Sequence, residues 1–162
     1  MLIRPARSSG RHRMLKLTKK ADYGLIAMKY LAEHAAQGAF SAKDLADAYH
    51  LPQEALAKIL QRLVKARLLV SQHGTRGGYM LARDPGTITA FEVIRAIEGP
   101  LFMTSCITVR GKCDQSGRCT VREPLERVSR SIEEVLTRIT IAEMAAKADE
   151  LVVVTSAAVA GL

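Results

Sequence analysis

Residues 68–83, LLVSQHGTRGGYMLAR, constrain the fold more than any other stretch of the chain. A β-branched and apolar run, a glycine-rich turn and a second apolar run read as a β-hairpin. Three helical segments precede it. From Lys16 to Ala36, the residues Leu17, Ala21, Leu25, Met28, Ala32 and Ala35 recur at spacings of three and four, an amphipathic helix with Gly38 beyond it as a stop signal. Ser41, with Asp44 three residues on, is the N-cap of a short helix reaching about Tyr49. His50-Leu51-Pro52 then turns the chain. Pro52 in the first turn and the acid Glu54 suit the start of a third helix, which runs to about Ala66 with Leu56, Ile59, Leu60 and Leu63 on its buried side. Three helices and then a hairpin is the order of a winged helix-turn-helix. The predicted fold class is therefore mainly α, with a small β-hairpin wing.

In such a domain the third helix enters the major groove of double-stranded DNA and the wing approaches the backbone or the minor groove. The charge is distributed to suit that partner. Of a formal net charge of +8, seven Lys or Arg fall in the first 20 residues, so the rest of the chain is nearly neutral. Yet Lys58, Arg62, Lys65, Arg67, Arg76 and Arg83 lie between Ala55 and Arg83 with no Asp or Glu among them. A field of one sign over one short segment is what a polyanion-binding surface requires. A solvated basic face is the bland alternative. The candidate DNA-contacting residues are those free of the buried stripe, Gln53, Glu54, Ala55, Lys58, Gln61 and Arg62, and the wing tip, His73, Gly74, Thr75 and Arg76. Amide and Lys heads near the helix N-terminus suit base edges, Arg62 suits phosphate, and Arg76 suits a narrow minor groove. The glycine-rich tip is not a nucleotide site, because neither G-x-G-x-x-G nor a G-K-[ST] ending is present.

Other classes are excluded by what is missing. No apolar run approaches the roughly 18 residues of a membrane span, and LVVVTSAAVAGL at the end is too short for one. Aromatic residues are only 4% with no Trp, which disfavours platforms that stack single-stranded bases. No catalytic triad or paired-carboxylate site is apparent, so neither an enzyme nor a small-molecule substrate is expected. Residues 1–13 lack a secretory apolar region and read as a disordered basic arm, or as a segment ahead of a start at Met14. Beyond them the chain divides into a DNA-binding domain at 14–99, a cysteine loop at 100–120, a long helix and terminal helix at 121–148, and a flexible tail at 149–162. The expected location is cytoplasmic.

The cysteine loop follows a helix over Ala90 to Glu98 that is introduced by Thr87-Ile88-Thr89 and closed by Gly99-Pro100. It holds all three cysteines, Cys106, Cys113 and Cys119, in a C-x6-C-x5-C pattern. Thiolates this close together suit a soft metal or an iron-sulfur cluster. Gly111 and Gly117 would let the loop fold round a bulky centre, and Arg110, Lys112 and Arg118 would offset its negative charge. Ordinary free thiols, structural zinc and a metal-free thiol-disulfide switch are the competing readings. Zinc sites favour closer cysteine pairs and four closed ligands.

After the loop, Val121, Leu125, Val128, Ile132, Val135 and Ile139 step by four, three, four, three, four. This is a heptad seam under three heptads long, suited to pairing two subunits or to packing on its own domain. A homodimer would place two reading helices on the half-sites of a palindromic operator.

These residues together resemble the Rrf2 family of winged-helix transcription regulators. The resemblance covers about residues 14–144 and rests on the opening LKLTKKADYG, the RLVKARLLVSQHGTRGGYMLAR hairpin, the FEVIRAIEGP helix, the three cysteines, CTVREPLERV and the terminal TIAEM. The cysteine spacing is most similar to the branch that regulates SUF iron-sulfur assembly genes. The resemblance implies a repressor with an iron-sulfur cluster, [2Fe-2S] or [4Fe-4S], held by Cys106, Cys113 and Cys119, and a homodimer formed through the long helix. In the IscR-like branch a His three residues after the last Cys completes the ligand set; here that position is Arg122, which cannot ligate. In the NsrR-like branch, whose role as a nitric-oxide-sensing repressor is the alternative function that the resemblance leaves open, an acid in the first helix of the partner subunit does so, and Asp22 is the matching position. Asp22 is thus the candidate fourth ligand, with Glu123, a thiol or water competing. In the wing, His73 stands where the family usually has Arg, which would weaken the minor-groove contact or pass it to Arg76.

Overall fold

The computed structural model describes residues 17–100 and 118–146. The basic arm, Cys106, Cys113 and the C-terminal tail lie outside the described residues. Most of the helices begin where a short polar side chain can take up the free N–H groups of a first turn. The first helix, α1 (Lys19–Glu33), is capped by Thr18, whose hydroxyl accepts from the N–H groups of Lys20 and Ala21. The second, α2 (Ala42–Tyr49), opens on a reciprocal box between Ser41 and Asp44, and α4 (Ala90–Glu98) on the same device between Thr89 and Glu92. Between them, α3 (Gln53–Lys65) has no side-chain cap, and Pro52 takes the N-cap position rather than a place inside the first turn. Pro52 itself brings no N–H to satisfy, and the acid Glu54 in the first turn suits the positive end of the helix.

The long helical pattern expected to reach Ala36 ends earlier. At His34 the backbone leaves the helix, and both its N–H and its ring Nδ1 engage the Tyr30 carbonyl, the ring at 2.9 Å. Ala35–Gln37 continue as a single 3-10 turn, which Gly38 closes at φ +94°.

The hairpin pairs β1 (Leu69–Gln72) with β2 (Gly78–Leu81), antiparallel, with Leu69 opposite Leu81 and Gln72 opposite Gly78. A third segment joins it. Phe40 and Tyr79 exchange two backbone hydrogen bonds, of 3.1 and 2.8 Å, so the linker before α2 lies alongside β2. Gly78 makes this approach possible, because a Cβ there would be driven into the Phe40 carbonyl and come within 2.8 Å of the Ser41 nitrogen.

The core lies where α1, α2, α3 and α4 meet. Met28, Leu45, Leu56, Leu60, Leu63 and Val93 are all essentially without solvent exposure. Gly24 lets α1 press onto α4, its missing side chain leaving the space that the Ile97 side chain fills. After α4 the chain returns in α5 (Arg122–Arg138) and the short α6 (Ile141–Ala145). The TIAEM segment has a local physical role. Thr140 and Glu143 form the cap of α6, and Ile141 is fully buried in the core between Ile88 and α1. In α5, by contrast, no residue is buried, and Val121, Val128 and Val135 are 57%, 43% and 57% exposed along the seam. Pro124, Arg127, Val128, Ser131, Ile132, Val135 and Leu136 line an open, mostly apolar groove.

Candidate nucleic-acid interface

The turn between α2 and α3 sets the angle of the reading helix. His50 adopts a left-handed conformation at φ +53°, and the Leu51 N–H returns to the Ala46 carbonyl at 2.9 Å, closing α2 before Pro52 starts α3. This is the short turn of a helix-turn-helix. The apolar stripe of α3, Leu56, Ile59, Leu60 and Leu63, is then spent on the core. Gln53, Glu54, Lys58 and Gln61 are left exposed, with Ala55 partly so. At the wing, His73, Gly74, Thr75 and Arg76 are all exposed. Gly74 takes φ +113°, and the Gly77 N–H closes the tip on the Gly74 carbonyl at 3.0 Å.

Two of the cations counted in the basic segment have partners within the fold. Arg83 pairs with Glu92 at 2.5 Å and also donates to the Thr87 carbonyl at 3.2 Å. Burial pushes the Glu92 carboxyl up, but the Thr89 N–H and the Arg83 guanidinium outweigh it and hold the group below the ordinary carboxylate value. Arg62 Nη1 donates to the Ile97 carbonyl at 2.8 Å, a partner 35 residues away. Lys58, Lys65, Arg67 and Arg76 make no ion pair among the described residues and are exposed. Of the two partnered cations, only Arg83 has its charge balanced, by Glu92; Arg62 keeps its charge but its guanidinium is directed to the end of α4.

Three features were not evident from the sequence: the Phe40–Tyr79 pairing that anchors the wing, the Arg62–Ile97 bond and the Arg83–Glu92 ion pair. Phe40 lies in a run without alternation, and its only signal is the adjacent N-cap Ser41.

Of the proposed cluster ligands, Cys119 is described. It is a free, half-buried thiol three residues ahead of Arg122, the first residue of α5. Asp22 is exposed in the first turn of α1. No group of three potential metal ligands forms among the described residues. None of the helices among them is long and apolar enough to cross a membrane.

A helix-turn-helix with a paired wing beside its recognition helix defines a winged-helix DNA-binding protein. A family model described as an iron-dependent transcriptional regulator, Rrf2, matches residues 17–147. Among curated relatives, the chain is 30% identical to the HTH-type transcriptional regulator CymR of Bacillus subtilis over 135 residues, covering 83% of this chain and 93% of that one. It is 31% identical to the HTH-type transcriptional regulator IscR of Serratia proteamaculans over 139 residues, covering 86% and 84%. The solved structure of CymR, described as the global cysteine regulator of B. subtilis, superposes with a TM-score of 0.66 at 32% identity, over 82% of this chain and 97% of that chain. That of T. potens IscR gives 0.64 at 37% identity, over 80% and 85%. The chain belongs to the Rrf2 family: it is a DNA-binding transcriptional regulator and not an enzyme.

Proposed function

We propose that the protein is a homodimeric, cytoplasmic repressor that binds palindromic operator DNA and whose affinity follows the state of an iron-sulfur cluster. The genes it controls are those of iron-sulfur cluster assembly, of the SUF type. The observation that carries the sensing role is the gathering of all three cysteines between α4, which packs on the recognition helix, and α5, whose apolar seam is open. Cys106, Cys113 and Cys119 hold the cluster, and Asp22 of the partner subunit completes the set. What is described of these donors is compatible with the chemistry, since Cys119 is a free thiol outside any disulfide. When bound, the cluster would supply a redox- and iron-sensitive centre between α4 and α5, so that its presence or loss could be felt at the recognition helix. The chain's own residues do the reading. Gln53, Glu54, Ala55, Lys58 and Gln61 face the major groove, and His73, Gly74, Thr75 and Arg76 face the backbone or the minor groove.

Replacing Cys113 by Ala is expected to abolish the visible absorbance of anaerobically purified protein; an unchanged spectrum would remove Cys113 from the ligand set. Lys58→Ala and Arg76→Ala should each weaken duplex binding and flatten the dependence of log affinity on log salt by about one contact. They should leave that absorbance intact. Wild-type affinity in both variants would move the reading surface elsewhere.

A metal-free thiol switch is the second reading. It is favoured by the similarity to CymR, described as a global cysteine regulator, and by Arg122 standing where a His would ligate. It requires that oxygen-free protein be colourless.

A further inference from the structure

Arg62 lies on the exposed flank of the recognition helix, one residue beyond Gln61, yet its guanidinium turns away toward α4. The carbonyl it meets, that of Ile97, belongs to the last turn of α4, where carbonyls outnumber intrahelical donors and the helix dipole is negative. A cation there forms a charge-assisted bond of the stronger kind. The same turn is held from α1. The Thr18 hydroxyl donates to the Glu98 carboxylate, and Gly24 admits the Ile97 side chain. The opposite end of α4 is joined to the end of α5 by backbone bonds. The Ala90 N–H meets the Ile139 carbonyl, and the Ile141 N–H the Ile88 carbonyl, each at 2.8 Å. So α4 is a strut fastened at its start to the α5 frame and at its end to α3.

We propose that Arg62 is a positioning residue rather than a phosphate contact: by tying α3 to the last turn of α4, it sets where the recognition helix lies relative to α5 and so the separation of the two recognition helices in the dimer. The proposal rests on the dimeric reading above. Removing the guanidinium should leave the number of phosphate contacts unchanged while loosening the preferred half-site spacing.

The test uses the full chain and the palindromic duplex that wild-type protein selects from a random-sequence pool, with forms carrying one base pair more or fewer between half-sites. Affinities are measured over a range of salt for wild type, K58Q, R62Q, R62M and R62K. K58Q should lower the salt slope by about one. R62Q and R62M should keep the wild-type slope but discriminate among spacings roughly threefold to tenfold less well, and R62K should restore the discrimination. A slope lowered in R62Q and R62M as it is in K58Q would overturn the assignment, and so would an unaltered spacing preference in both. Sedimentation at the binding concentration separates the two levels. A monomeric wild type overturns the dimeric reading and the spacing role together, whereas loss of slope in R62Q with a dimeric wild type overturns the role of Arg62 alone.

Discussion

A chain carrying both Val128→Asp and Val135→Asp is expected to sediment as a monomer and to bind palindromic duplex on the order of 100-fold more weakly than wild type. Its thermal unfolding should shift by only a few degrees. Both valines are largely exposed on α5, 43% and 57%, so neither supports the core of its own subunit. Across a pair of α5 helices they would instead be buried, and an unpaired carboxylate there costs several kcal/mol. Losing the second reading head removes the effective concentration that linkage supplies, and the affinity falls without any change in the DNA-facing residues. A variant that remained dimeric with wild-type affinity would show that the seam on α5 is not the pairing surface.

Gly78→Ala is expected to destabilise the domain by about 1–3 kcal/mol, the range typical of forcing an extra carbon into a packed site. In a protein of this size the melting temperature should fall by roughly 2–4 °C per kcal/mol. The clash is with backbone, the Phe40 carbonyl and the Ser41 nitrogen, so no side-chain rotation relieves it. The linker and β2 must separate, and with them go the two Phe40–Tyr79 hydrogen bonds that hold the wing against α2. DNA affinity should fall even at temperatures where the variant remains folded, because the tip bearing Arg76 loses its anchor. A melting temperature equal to wild type would mean that the Phe40 bridge contributes nothing to the wing.

The features legible in the sequence are those whose causes are local. Ser41 with Asp44 marks the start of α2, and the boundaries of α4 follow from Thr89 at one end and Gly99 at the other. The hairpin is evident from its two apolar runs, and the recognition helix from the spacing of Leu56, Ile59, Leu60 and Leu63. The features that escaped detection depend on residues far apart in the chain. Phe40 pairs with Tyr79, Arg62 reaches Ile97, and Arg83 turns to Glu92. Each of these arginines is consistent in sequence with a solvated or phosphate-bound cation, and only the packing of α4 gives it a partner. The early end of α1 is a subtler case. Ala35 keeps the apolar periodicity, but the backbone tightens once both His34 donors are committed to the Tyr30 carbonyl. For the proposed sensing site, the sequence shows the spacing of three thiols and, of these, Cys119 alone is among the described residues.

The most direct measurement is of duplex affinity for protein purified without oxygen, with iron and sulfide counted on the same sample, before and after the iron is stripped by a chelator. A regulator governed by its cluster should contain both elements in fixed ratio to the chain, and its affinity for the selected duplex should change severalfold on stripping. Protein free of iron and sulfide, with an affinity that the chelator does not alter, would contradict the sensing role and leave only the reading head.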